Sequence, residues 1–429
     1  MFAFLPTVDP SLSESGRARD LLVQKSGLND WAEFKTTYGV SLLEPCYRAL
    51  TAPTDSIMNY YFALRMASND HANELLALLR SINEIKTDRI FFFAARDVAP
   101  PDYAFGDPCD EFEILSLLQS PTGPMIPDYL KGKGVNLASL WSGAHPSSHP
   151  EFTGKGTTFV DLEDGWNLEH PYYQSHNPRI LYGCNHDDTS PHGTAVLGVV
   201  CGDAGIYGTA PLVSRVDLAS VHGLGMPMAM LHLLWCKTRL PDVLLLEVDQ
   251  GDFPVERDPI IYDLINEFVE RGVTVIEPAG NANRKLDETS SGMVWQGGDS
   301  GAILVGCSNS DPDLHGYEAL LSNSSTRIDC FAWGENVQTA KINSLGKPDT
   351  ELDFNGTSAA SAIVAGCALV LIGFARTHGR ELKPAKVREL LSDKTDGRNT
   401  PANEHYVDTL GVMPNMKNII DTLKSDWNL

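Results

Sequence analysis

The chain has 429 residues, of which 42% are hydrophobic and 21% are charged, and its formal net charge at pH 7 is −23. This composition is typical of a soluble α/β protein and excludes fibrous and disordered classes. The length predicts one large domain with a smaller one. Nucleic acids are bound largely through Lys and Arg on their phosphates, so we expect no nucleic-acid partner for so acidic a chain.

Residues 1–106 are predicted to form a small α+β domain. Two helical patterns cover Ser11–Lys25 and Asp30–Tyr38. They are followed by a strand, an amphipathic helix and a second strand over Asn59–Met66, Asp70–Asn83 and Arg89–Arg96. The alternating and helical spacings of their apolar residues predict a βαβ-type unit.

Targeting signals and cysteines indicate where the protein works. The first residues have neither the basic start nor the apolar run of a secretory signal, which predicts an intracellular protein. The 8 cysteines include no C-x-x-C pair and stand mostly in apolar contexts, so we expect reduced core residues.

Residues 107–153 are predicted to be a linker and the start of the larger domain. Clusters of Pro, Gly and Ser punctuate residues 100–108, 120–129 and 142–152, and one short helical run is predicted at Asp110–Gln119.

Residues 154–429 show apolar strands alternating with helical segments. Strands are predicted over 157–161, 213–220, 242–248, 273–279 and 302–307, with helices after His192 and from Met228 and Ile260. The alternation predicts a doubly wound, mostly parallel sheet with helices on both faces, and functional residues at the carboxyl ends of its strands. The longest apolar run, Ala362–Ala375, is shorter than the ~20 residues of a membrane span, which predicts a core helix and no membrane segment.

Ser358 is a candidate nucleophile. A serine hydroxyl needs an imidazole base, a carboxylate to orient that base, and donors for the oxyanion. Ser358 stands in Asn-Gly-Thr-Ser-Ala-Ala-Ser before the long apolar helix, where the helix dipole favours developing negative charge. A helix cap would use the same residue types. Ala360 departs from the G-x-S-x-G pattern of α/β-hydrolases.

His192 and Asn281 are candidates for the base and for an oxyanion donor. His192 begins a helical run in Ser-Pro-His-Gly-Thr-Ala, although a lone histidine also serves as a capping or core residue. Asn281 follows an apolar strand and Gly280, whose freedom of φ permits a tight turn that presents the amide at the sheet edge. A plain strand-to-loop turn has the same composition.

The order of a carboxylate, His-Gly-Thr, Ala-Gly-Asn and Gly-Thr-Ser-Ala-Ala-Ser resembles the subtilisin-like serine peptidases, over roughly Tyr129–Thr422. The resemblance implies the subtilisin-like fold and a serine endopeptidase acting on a protein or peptide, with no cofactor. It gives Ser358, His192 and Asn281 the roles of nucleophile, base and oxyanion donor.

The triad carboxylate is predicted to be Asp161. The family has D-[ST]-G after an apolar strand, whereas this chain reads Phe-Val-Asp-Leu-Glu-Asp-Gly-Trp over residues 159–166. Asp161 directly ends the predicted strand, while the alternative, Asp164, keeps the following glycine. The same acids, or His186 with its two following aspartates, are possible calcium ligands, but their spacing is not that of a dedicated calcium loop, so no metal is predicted.

Four residues are predicted to bind substrate: Glu247, Val248, Gly251 and Glu277. The first three occupy the segment that corresponds to the family's substrate-pairing strand, and Glu277 precedes the oxyanion turn. Two carboxylates there predict an acidic pocket that favours a basic residue on the amino side of the cut. In the alternative interpretation these carboxylates face solvent or pair internally.

The N-terminal unit resembles the ferredoxin-like propeptide of subtilases. This implies a zymogen in which residues 1–106 contact the active-site cleft until cleavage between about Ala99 and Pro127. A permanent regulatory or partner-binding domain is the alternative. For the whole chain, two other hypotheses remain, a catalytically silent scaffold with the same fold and a peptide ligase that uses the same triad.

Overall fold

Within the described residues, the strands form two sheets and one separate hairpin. The computed structural model describes residues 2–6, 15–38, 40–45, 61–66, 72–80, 91–93, 125–185, 190–222, 225–235, 240–248, 253–287, 298–311, 322–343, 345–397 and 407–429.

The N-terminal sheet has four strands in the order β2-β3-β1-β4, and each neighbouring pair is antiparallel. The strands are β1 (Phe2–Pro6), β2 (Val40–Pro45), β3 (Tyr61–Met66) and β4 (Phe91–Phe93). The helices are α1 (Ser15–Ser26), α2 (Trp31–Tyr38) and α3 (Ala72–Arg80). The predicted strand, helix and strand of residues 59–96 correspond to β3, α3 and β4.

The larger sheet has seven strands, all parallel, in the order β11-β10-β9-β8-β5-β7-β6. They are β5 (Thr158–Glu163), β6 (Arg179–Tyr182), β7 (Arg215–Ser220), β8 (Val243–Leu246), β9 (Thr274–Pro278), β10 (Ile303–Ser308) and β11 (Cys330–Trp333). The predicted parallel sheet is therefore confirmed, and β6 and β11 are two strands that the sequence pattern did not predict.

Helices cover both faces of the larger sheet. They are α4 (Ser190–Cys201), α5 (Met226–Trp235), α6 (Pro259–Glu270), α7 (Gly356–Thr377), α8 (Pro384–Leu391), α9 (Val407–Leu410) and α10 (Met416–Trp427). One buried cluster joins the sheet to α4, α7, α8 and α10, and a second joins it to α5 and α6. This two-sided arrangement is the doubly wound fold that the alternation predicted.

Side chains alternate between these two cores along each strand. In β8, Val243 and Leu245 belong to the α4 and α7 side, whereas Leu244 and Leu246 belong to the α5 and α6 side. In β5, Phe159 packs on the α4 and α7 side. Because alternate residues share a face, Asp161 and Glu163 also point toward α4 and α7.

Helix α7 runs through the core and is buried on nearly every side. Among the described residues, α7 is the one helix that is long and apolar enough to cross a membrane. However, 94% of its most apolar stretch is buried within the protein. Small residues let neighbouring chain approach closely, and a Cβ on Gly366 would stand 2.3 Å from Thr209 Cβ. The prediction of a core helix fits this packing.

Residues 125–152 pack against the larger domain through short 3₁₀ turns. The Met125 amide donates to the Gly205 carbonyl at 2.8 Å, and the Tyr207 amide donates to the Met125 carbonyl at 2.9 Å. Trp141 is fully buried. The predicted helical run Asp110–Gln119 lies outside the described residues.

A hairpin of β12 (Val337–Ile342) and β13 (Pro348–Phe354) leads directly into α7. The sequence pattern did not predict it, because its half-exposed polar residues lack the apolar runs of the parallel strands. It delivers the chain to the amino end of α7, where Ser358 lies.

Candidate active site

A cavity of about 560 Å³ opens at the carboxyl ends of β5, β8 and β9. Three predicted residues, His192, Asn281 and Ser358, line it together. Their sequence positions are far apart, so the fold brings them to one place as the parallel topology predicted. Glu163 and Glu247 line the same cavity.

Ser358 lies in the first turn of α7, which begins at Gly356. Gly356 has φ +80°, a conformation that favours glycine. A Cβ on Gly356 would stand 2.9 Å from Asn281 Oδ1, so a side chain there would displace the Asn281 amide. The glycine before Thr357 and Ser358 therefore permits both the helix start and the close approach of Asn281.

Thr357 connects the oxyanion turn to the nucleophile turn. The Thr357 amide and hydroxyl both donate to Asn281 Oδ1, at 2.8 and 3.0 Å, and the Thr357 hydroxyl accepts from the Gly280 amide at 3.2 Å. Because these bonds occupy the oxygen of the Asn281 amide, its NH₂ group is the end available as a donor.

His192 lies in the first turn of α4 and contacts Glu163. Its Nδ1 is 2.5 Å from Glu163 Oε2, and the Glu163 side chain is only 5% exposed against 40% for His192. The glycine of His-Gly-Thr makes this contact possible, since a Cβ on Gly193 would stand 2.3 Å from the Gly165 carbonyl and 2.8 Å from Glu163 Cγ. The Phe354 ring meets the imidazole edge-on at 5.6 Å.

The negative surroundings of His192 raise its pKa. Burial opposes the charged ring, but the charge of Glu163 and its hydrogen bond to the ring outweigh this effect and bring the pKa of His192 to about 9. The imidazole is therefore protonated at neutral pH and neutral only in alkaline solution.

Asp161 does not contact His192, contrary to the sequence prediction. Its Oδ2 accepts from the Trp166 indole Nε1 at 2.7 Å, and its Oδ1 finds no donor in the described part of the chain. Burial, and then the charge of Glu163, raise the pKa of Asp161 well above its usual value. A carboxyl group this deep in the sheet is best stabilised in its neutral form.

Asp164, the sequence alternative, lies at the mouth of the cavity and not against the base. It faces His222 at 3.4 Å. Strand β5 extends two residues beyond its predicted end, so the acid that ends it is Glu163. A signal for this residue existed in the sequence, because Glu163-Asp164-Gly165 keeps the acid-x-Gly spacing of the family pattern.

Of the four predicted substrate-binding residues, Glu247 and Val248 line the cavity. Glu247 is buried, and its Oε1 is hydrogen-bonded to the Ser361 hydroxyl in α7. Gly251 lies outside the described residues.

Glu277 lies behind the cavity, contrary to the prediction that it forms a wall of an acidic pocket. It alternates with Ile276 along β9 and so points to the α5 and α6 side of the sheet. There its Oε2 accepts from the Glu256 amide at 3.1 Å, and Glu256 in turn pairs with Arg327 at 2.8 Å. Burial and the Glu256 carboxylate raise the pKa of Glu277 well above its usual value. Glu277 therefore follows the alternative interpretation of the sequence, in which these carboxylates pair internally.

No group of three or more His, Cys, Asp or Glu side chains that would hold a metal ion occurs within the described residues. The candidate calcium ligands that begin at His186 lie outside them.

Known proteins resemble this chain in sequence and in fold. The Peptidase S8 model, which describes the subtilase family, matches residues 251–410. A subtilisin-like protease of Coccidioides posadasii (strain C735) is 25% identical over 295 residues, which cover 65% of this chain and 67% of that protein.

Two solved structures share the fold. A protease of Pseudoalteromonas arctica PAMC 21717 has a TM-score of 0.52 and 18% identity, covering 68% of this chain and 97% of that one. The prenylagaramide maturation protease PagA has a TM-score of 0.52 and 21% identity, covering 67% of this chain and 98% of its own.

Proposed function

We propose that the chain is a subtilisin-like serine protease that hydrolyses peptide bonds, in line with its match to the subtilase family over residues 251–410. In this proposal Ser358 is the nucleophile, His192 the base, Glu163 the orienting carboxylate and Asn281 the oxyanion donor. The observation that carries the proposal is the contact of His192 with Glu163 in the cavity that Ser358 and Asn281 also line.

In the proposed reaction, His192 Nε2 takes the proton of the Ser358 hydroxyl as its oxygen attacks the peptide carbonyl. The imidazolium then gives that proton to the leaving amine, and water attacks the acyl-enzyme in the same manner. Glu163 accepts the hydrogen bond of Nδ1–H, which fixes the tautomer and stabilises the imidazolium. This is the role that the sequence assigned to Asp161.

The oxyanion of each tetrahedral intermediate would be bound by the Asn281 amide nitrogen and the Ser358 backbone N–H at the start of α7. Thr357 supports this assignment because its two donors hold Asn281 Oδ1 and so direct Nδ2 toward the cavity. Removing one such donor typically costs about 10²- to 10³-fold in rate.

We extend the proposal to the N-terminal domain, which would act as a propeptide that covers the cavity until it is cut away. Met125 supports a boundary before it, because its backbone bonds to Gly205 and Tyr207 already belong to the larger domain.

A fluorophosphonate probe tests the proposed nucleophile. We expect covalent labelling of Ser358 in the unsubstituted chain, and loss of labelling in Ser358→Ala and His192→Ala. Ser392→Ala, which removes a hydroxyl at the end of α8 that does not line the cavity, serves as the matched control and should keep its label. A chain that remains unlabelled after removal of residues 1–124 would instead support the catalytically silent scaffold.

A further inference from the structure

A third carboxyl group, Glu247, lies beneath the Ser358 turn and has no part in the proposed reaction. It follows β8 directly and lies on the same side of the sheet as Val243 and Leu245, toward α7. It is 4% exposed, yet it lines the cavity that holds His192 and Ser358.

The hydrogen bonds of Ser361 show in which form Glu247 is held. The Ser361 hydroxyl lies against two oxygens, Glu247 Oε1 and the Ser358 carbonyl, the latter at 3.0 Å. A hydroxyl carries one proton and can donate to only one of them. Both contacts are hydrogen bonds if Ser361 donates to the Ser358 carbonyl and Glu247 donates its own proton to Ser361.

The other oxygen of Glu247 leads to the same conclusion. Oε2 is buried and finds no donor in the described residues. An ionised carboxylate would leave a charged oxygen without a partner, whereas a neutral carboxyl group leaves only a carbonyl, which costs much less.

Burial disfavours a negative charge on Glu247, whereas the groups around it act in both directions. Glu163 and Asp161 approach from β5, His192 from α4, and the hydroxyls of Ser358 and Ser361 from α7. Burial raises the pKa of Glu247 to about 8, although the positive charge of His192 and the hydroxyls of Ser361 and Ser358 act to lower it.

We propose that Glu247 is a positioning residue that carries a proton at neutral pH and, through Ser361, fixes the turn of α7 that presents Ser358. The donor chain runs from Glu247 to the Ser361 hydroxyl and from that hydroxyl to the Ser358 carbonyl. The positioning effect rests on the proposed protease function, whereas the protonation state does not.

The protonation state is tested by thermal unfolding of Ser358→Ala protein, which has no activity to lose. A group with a raised folded-state pKa stabilises the fold below its unfolded pKa and loses that effect as pH rises through the folded pKa. Between pH 5 and pH 7 the chain with Glu247 should therefore lose stability relative to Glu247→Gln. The Tm difference should change by about 5 °C over this interval.

Two further variants make the result decisive. Glu247→Met removes the titrating group with a different side chain, so it should show the same pH-dependent change even if its overall Tm differs. Glu351→Gln is the control, since the pKa of Glu351 is lowered beside Lys341 and should give no change between pH 5 and pH 7. A Tm difference that stays constant over this interval in both Glu247 variants would overturn the proposal.

Kinetics test the positioning effect separately. Glu247→Met lacks a donor and should lower kcat at least about 10-fold with little change in KM, while Glu247→Gln, whose amide can donate to Ser361, should restore most of that loss. An unchanged kcat in Glu247→Met would refute the positioning role. If the unsubstituted chain is not labelled by the probe, the protease function is refuted instead, and the conclusion on the protonation state of Glu247 from thermal unfolding still holds.

Discussion

Glu163 contacts His192 from the last position of β5. Asp161 lies two residues earlier on the same face, about 7 Å deeper in the sheet, where it meets the Trp166 indole. The two acids therefore occupy different environments, one at the cavity with a basic partner and one in the core. Their exchange for neutral amides should have very different consequences.

We predict that Glu163→Gln lowers kcat/KM at least about 10³-fold, since the uncharged amide no longer stabilises the imidazolium. Asp161→Asn, the matched control, should cost less than about 10-fold, because Asp161 is already held neutral and its bond to Trp166 can be kept. Steady-state kinetics on a peptide substrate over pH 6 to 11 supply the measurement.

The dependence of kcat/KM on pH gives this prediction a direction. Catalysis needs neutral His192, so kcat/KM should rise with pH until about 9, the pKa of this imidazole. Removing the Glu163 charge lowers the pKa of His192. The rise of kcat/KM with pH in Glu163→Gln should therefore begin at a lower pH than in the unsubstituted chain. If Asp161→Asn shows the larger loss and the larger shift, Asp161 and not Glu163 is the orienting carboxylate.

The sequence identified Ser358, His192 and Asn281 because each stands in a short motif whose small residues have a geometric reason. Gly193 and Gly356 are the clearest examples, since a Cβ on either would collide with the neighbouring motif. The burial of Glu163, Glu247 and Glu277 was not predictable from residue type, because carboxylates are rarely buried. Successive side chains of a strand point to opposite faces of the sheet, so Glu277 points away from α7, on the face opposite to Ile276. This alternation alone would have corrected the prediction that Glu277 lines the cavity.

At the scale of elements, apolar runs predicted β5, β7, β8, β9 and β10, because parallel strands buried on both faces are nearly continuous in apolar residues. The end of β5 was missed because two acids interrupt its run, so the strand was ended at Asp161 in place of Glu163. The hairpin of β12 and β13 was missed because one of its strands is largely polar and half-exposed. Polar strand residues beside a functional cavity are therefore where the pattern is least informative.

The start of α7 gives a prediction at this scale. Gly356→Ala should lower kcat at least about 10-fold, because the added methyl group collides with Asn281 Oδ1 and displaces the oxyanion donor. Gly379→Ala is the matched control, since Gly379 also has positive φ, +65°, but has open space around its Cβ position. It should lose about 1 kcal/mol of stability and keep its activity.

Kinetics and thermal unfolding of the two glycine variants separate strain from contact. Both variants should lose stability through backbone strain, with a further loss in Gly356→Ala from the collision, and only Gly356→Ala should lose rate. Equal rates in the two would show that Asn281 does not depend on the approach of Gly356.

At the scale of the whole molecule, the strands of the smaller sheet precede residues 94–124 in the sequence and those of the larger sheet follow them. Met125 is already hydrogen-bonded through its backbone to Gly205 and Tyr207 of the larger domain. A protease that removes its own propeptide must cut where the chain can enter the cavity. Residues from Met125 onward are bonded into the larger domain, which disfavours a cut among them.

We predict that mass spectrometry of the purified chain detects loss of an N-terminal fragment ending between Ala99 and Pro124, and that Ser358→Ala keeps the full mass. Glu163→Gln should process slowly and show both species, because its reaction is impaired but its nucleophile is present. Asp161→Asn should process like the unsubstituted chain. A chain that labels with the probe yet keeps residues 1–124 would show that the N-terminal domain is a permanent part of the active protein.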